Sequence, residues 1–103
     1  MHIEESHSFT VEEAKQRVEL LVGGWQKKYG INVSWSDATV TVKGKAMGVT
    51  IDATVKVEPS RILAEGKDPG LLMRGAATGY LKRKFAEYFD PKVTLADLAA
   101  RQG

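Results

Sequence analysis

His2 and His7, with Glu4 and Glu5 between them, are the residues of this 103-residue chain whose types first suggest chemistry. Imidazole nitrogens and carboxylate oxygens are the donors of many divalent-metal sites. Yet the chain has two histidines and no cysteine. No second carboxylate–histidine pairing at a ligand spacing accompanies them, so no metal site is assigned. His7 has the chemistry of a general base, but Ser6 and Ser8 flank it in an extended segment and would point away from it. Sequence order therefore gives no Ser–His–Asp set. Gly44-Lys45-Ala46 and Gly66-Lys67-Asp68 lack the spacing of a phosphate loop. A helix starting after Asp68 would offer an anion its N-terminal N–H groups, but Asp68 itself would occupy that position. No catalytic residue, cofactor site or metal ligand is assigned, and a non-enzymatic role is expected.

Two features point to binding instead. Gly75-Ala76-Ala77-Thr78-Gly79 places Gly75 and Gly79 four apart on a predicted helix. This makes a flat strip for close approach to the sheet or the first helix, or alternatively for self-association or a ligand. Leu95 and Leu98 are apolar on a tail helix of about two turns, too short to be stable alone in water. That helix must dock on its own domain or on another chain, so Gly75, Gly79, Leu95 and Leu98 form the candidate partner surface.

The elements that position these residues follow from periodicity. Thr10-Val11-Glu12-Glu13 has the form of a capping box. Val11, Ala14, Val18, Leu21, Val22, Trp25 and Tyr29 then trace one helical stripe, and Gly30 supplies a stop, so a helix is predicted over about 11–29. Gly23-Gly24 inside it is unfavourable, by about 1 kcal/mol per glycine relative to alanine. It implies either a tolerated weak point or the close approach of another backbone. Ile31, Val33 and Trp35 alternate with polar residues, Ser36-Asp37 turns the chain, and Val40 and Val42 share the next strand's face. Gly44 to Gly48 reads as a hairpin turn. From Val49, Ile51, Ala53, Val55 and Val57 alternate with Thr50, Asp52, Thr54 and Lys56, the pattern of a half-buried strand. Pro59-Ser60 breaks it, and Arg61 to Ala64 form one more short strand. His2 to Phe9 reads as a further strand of mixed pattern. Asp68-Pro69 has the form of an N-cap and first helical position. The second helix is predicted over about 69–89, with Met73, Ala77, Leu81, Phe85, Tyr88 and Phe89 as its stripe. Pro91 ends it, and Thr94 caps the tail helix.

These elements predict an α+β, two-layer sandwich. An antiparallel β-meander carries two long helices on one face, in the order β-α-β-β-β(-β)-α plus a short C-terminal helix. Residues 1–90 form the single domain and residues 91–103 the tail. Trp25, Trp35, Met47, Phe85 and Phe89 are large enough to fill the space under the helices, so a filled core is expected. An acyl ligand is the alternative occupant.

The totals agree with a soluble globular domain: 43% hydrophobic and 27% charged residues, with a net charge of +2 from 15 basic and 13 acidic side chains. The densest basic run, Lys82-Arg83-Lys84, spreads around a helix and is no stripe for nucleic acid. The start MHIEESHSF lacks the basic, apolar plan of a signal peptide, no apolar run approaches a transmembrane length, and the absence of cysteine fits a reducing compartment. A cytoplasmic location is expected.

His7-Ser8, Glu13-Ala14 opening a helix, Tyr29-Gly30, Trp35 with Asp37 in the turn, and the strand pair around Gly48 and Ile51 resemble, in order and spacing, the polyhydroxyalkanoic acid system proteins, the granule-region family. The resemblance spans roughly Ile3 to Phe89. It implies a setting near polyester storage, with self-association or a granule-linked protein as partner, and it carries over no catalytic residue; the alternative is a small lipid- or acyl-binding protein or a weak enzyme acting on hydroxyacyl intermediates. Glu58-Pro59-Ser60 interrupts a region that runs as a strand in that family, and the tail after Pro91 is an addition to it.

Overall fold

The computed structural model describes residues 1–46 and 48–101. Its elements are β1 (His2–Ser6), α1 (Val11–Tyr29), β2 (Asn32–Ser36), β3 (Thr39–Ala46), β4 (Val49–Val57), β5 (Arg61–Gly66), α2 (Arg74–Tyr88) and α3 (Leu95–Ala100). The five strands form one antiparallel sheet in the order β1-β5-β4-β3-β2. The expected two-layer α+β sandwich is the observed fold, and the optional fourth strand of the central meander is formed by β5.

The alternation of β4 decides the layers. Val55 and Val57 are buried, as are Val40 and Val42 on β3, Ile62 and Ala64 on β5 and Ile3 on β1. All lie on one face, packed in one core with Ala14, Val18, Leu21 and Val22 of α1 and Phe85 and Tyr88 of α2. Thr50, Asp52, Thr54 and Lys56 lie on the other, exposed face. Both long helices thus cover the same side of the sheet.

Both ends of α1 are capped at the expected residues, but only the Thr10 half of the capping box forms, the Glu13 carboxylate turning to Arg17 instead. Thr10 Oγ1 accepts from the Glu13 N–H at 3.1 Å, and Gly30, at φ 68°, closes the helix with its N–H on the Gln26 carbonyl. The helix runs unbroken through Gly23, where an added Cβ would meet nothing within 4 Å. Gly23 is therefore a tolerated weak point and not a site of close approach.

Two boundaries move. β3 extends through Gly44, Lys45 and Ala46, which pair with Ile51, Thr50 and Val49. The two strands are thus joined between Ala46 and Val49, with Gly48 at φ 80°. α2 begins at Arg74 and not near Pro69. The Asp68 carboxylate accepts from the Gly70 N–H at 2.9 Å, an Asx-type turn that competes with helix capping. Gly70, at φ 101°, is outside the helical region.

Candidate functional site: an apolar groove under α2

Between α2 and the sheet lies a cavity of about 350 Å³. Its floor is the inner face of β3, β4 and β5, including Val42, Ile51, Ala53, Ala64 and Gly66. Its roof is α2, where Ala76, Ala77, Tyr80, Leu81 and Phe85 recur at helical spacing. Trp25 and Tyr29, from the last turns of α1, close one end. Trp25 Nε1 donates to Tyr80 Oη at 3.0 Å, tying the two helices together at this wall.

The space exists because facing positions are small. Ala53 pairs with Gly66 across β4 and β5, and a Cβ added to Gly66 would stand 2.8 Å from the Ala53 Cβ. The roof above is alanine at 76 and 77. The expected filled core is therefore corrected here. Of the five large residues counted on to fill it, Phe85 and Trp25 only line the cavity. Trp35 lies on β2, with Lys15 Nζ 5.1 Å above its ring. Phe89 packs with Phe9 and His7 instead, at ring distances of 6.2 and 5.5 Å. Met47, the fifth, lies outside the described residues. A volume near 350 Å³ is at the lower end of small-molecule pockets, roughly 300–1,000 Å³.

His7 is fully engaged elsewhere. Its Nε2 lies 2.8 Å from the Glu58 carbonyl oxygen, and its Nδ1 accepts from the Phe9 N–H at 3.2 Å. A carbonyl only accepts and an amide N–H only donates, so the ring is the Nε2–H tautomer. It joins the end of β1 to the β4–β5 turn. His2 sits at the exposed edge, 3.3 Å from Glu4. Among the described residues no group of three His, Cys, Asp or Glu side chains stands together to hold a metal ion.

The four candidate partner residues are dispersed. Gly75 is exposed and Gly79 half-buried on α2, Leu95 is half-buried, and Leu98 is buried in its own chain's core. Thr94 caps α3 through a reciprocal pair with Asp97.

Arg17 holds that tail in place. It is 2% exposed. Nη1 donates to the Tyr88 carbonyl at 2.9 Å, Nη2 to the Val93 carbonyl at 2.7 Å, and Nε and Nη2 to Glu13 Oε2. Its Cζ lies 3.9 Å from the Phe9 ring centroid. Sequence reasoning passed over Arg17 because of its charge. The available signal was its position, three after Ala14 and four before Leu21 on the buried stripe.

A one-sided sheet roofed by two helices over an apolar hollow defines a small two-layer α+β scaffold with an apolar pocket. A family model described as "Putative polyhydroxyalkanoic acid system protein" (PHA_gran_rgn) matches residues 1–92, and the chain belongs to this family. Neither a curated protein nor a solved structure matches it. The matched span ends before α3.

Proposed function

We propose that this chain is a non-enzymatic accessory protein of the polyhydroxyalkanoate system, acting in the cytoplasm, that holds an apolar acyl chain in the groove under α2. The observation that carries this reading is the cavity itself. Its lining is dominated by carbon, and an apolar hollow left empty forfeits dispersion contacts that an alkyl chain would restore. The family context supplies the chemical class, a fatty or hydroxyacyl group. Association with a storage granule or a granule-linked protein belongs to the same reading. The engagement of both His7 nitrogens by backbone supports the non-enzymatic half, because a base with no vacant nitrogen has no proton to collect.

Native mass spectrometry of the purified chain, together with displacement of a fluorescent medium-chain fatty acid by 3-hydroxyacyl acids, tests this. Saturable binding is expected, lost in Ala77→Leu, which fills the roof with a helix-compatible side chain. Absence of binding by the wild-type chain, or turnover of hydroxyacyl thioesters lost on changing His7, would overturn the reading.

A further inference from the structure

Three consecutive large apolar residues are exposed just before α2: Leu71 at 81%, Leu72 at 96% and Met73 at 41%. They are held by a defined turn. Gly70, at φ 101°, accepts from the N–H groups of Met73 and Arg74, while Asp68 accepts from the Gly70 N–H and from Arg74. The leucines are thus presented outward by a braced support.

Charge says what covers them. From Pro69 to Ala86 the chain has four basic residues, Arg74, Lys82, Arg83 and Lys84, and no acid. Arg74 is paired with Asp68 and Lys84 with Glu87, whereas Lys82 and Arg83 make no ion pair among the described residues. Both are exposed on α2, at helical spacing with Gly75 and Gly79. Lys82 lies about 12 Å along the helix from Arg74. An exposed apolar tip followed by a cationic helix face combines the two attractions, buried apolar area and charge, that bind a segment to an anionic lipid layer.

We propose that the turn at Leu71–Leu72 inserts into an anionic lipid surface while Lys82 and Arg83 meet the headgroups. Pro69 and Met73 line the groove, so this contact would set its mouth against the lipid. The proposal stands on exposure and charge and is independent of what the groove holds.

Flotation of the full chain with phosphatidylcholine vesicles, with and without phosphatidylglycerol, tests it. The wild-type chain is expected to float with the phosphatidylglycerol vesicles at low salt and to be released as salt rises. Leu71→Ser/Leu72→Ser should lower the bound fraction at least about tenfold, since two leucine side chains no longer leave water. Lys82→Glu/Arg83→Glu should cost about fivefold or more per position on anionic vesicles alone. These side chains are exposed, so circular dichroism should be unchanged, and the single change Leu72→Ser serves as the mildest variant. Equal binding to both vesicle types, no binding at low salt, or no loss in the leucine variants would overturn the proposal. So would a dimer of the wild-type chain that Leu72→Ser dissolves, because a second copy would then cover the leucines.

Discussion

Trp25 Nε1 donates its proton to Tyr80 Oη at 3.0 Å, and this bond is a cross-link between α1 and α2 at the wall of the groove. Tyr80→Phe leaves the indole N–H without that acceptor. A loss of about 0.5–1.5 kcal/mol is expected, read as a lower denaturant midpoint at unchanged slope. In a Trp35→Phe background the fluorescence of Trp25 alone should change with the Tyr80 substitution and with any ligand entering the groove.

Arg17 holds three things at once: the end of α2, the approach to α3 and Glu13. Arg17→Met keeps the apolar stem but strands the carbonyls of Tyr88 and Val93. The expected cost is about 2–4 kcal/mol. Arg17→Lys should recover little, since one ammonium cannot reproduce the planar fork. Glu13→Gln should cost under about 1 kcal/mol, as Glu13 is partly exposed. Comparable losses for Glu13→Gln and Arg17→Met would show that the ion pair, and not the carbonyls, is what matters.

Gly23 is an improvable position. Its backbone is helical and a methyl group would meet nothing, so Gly23→Ala should stabilise by about 0.5–1 kcal/mol. Thermal unfolding should shift up by a few degrees, roughly 4–8 °C per kcal/mol for a domain of this size.

The cap of α3 carries a pH dependence. The Thr94 N–H, then the Thr94 hydroxyl, holds the Asp97 carboxyl below the ordinary aspartate value of about 3.9. A folded-state value below the unfolded one means the carboxylate stabilises the fold above about pH 4. That stability is lost as pH falls through the lowered folded value. Asp97→Ala should therefore be less stable than wild type near neutrality, with the gap closing in acid. A gap independent of pH would show that the carboxylate is not the source.

Much of this architecture was legible because local pattern and tertiary environment agree. Residues Val49 to Val57 alternate as a strand covered on one side must, and α1 carries its caps and its stripe in plain view. The groove was not legible. It depends on Ala53 meeting Gly66 across two strands and on Ala76 and Ala77 lining the same space from α2, a coincidence of small residues far apart in sequence. Counting bulky aromatics could not reveal that Trp35 and Phe89 are directed to other parts of the molecule. The start of α2 was misplaced because Asp68 satisfies a turn with the same carboxylate that would have capped a helix. Arg17 hid behind its charge, although its spacing marked it as interior.

The pairing of β1 with β5 has a temporal consequence. His2 and Ile3 are made well before their partners Glu65 and Ala64, which come near the end of the sheet-forming sequence. Among the described residues β1 has no other strand neighbour, so Ile3 waits, unpaired, until β5 exists. α1 is made before β3 and β4, and its stripe of Val18, Leu21 and Val22 has nothing to cover until they appear. Closing a loop of this length carries an entropic cost before any long-range contact repays it. The nascent chain thus exposes β1 and the apolar face of α1 together until β3, β4 and β5 have been made. The groove, walled by Ile3, Gly66 and α2, can only be assembled once α2 has been made.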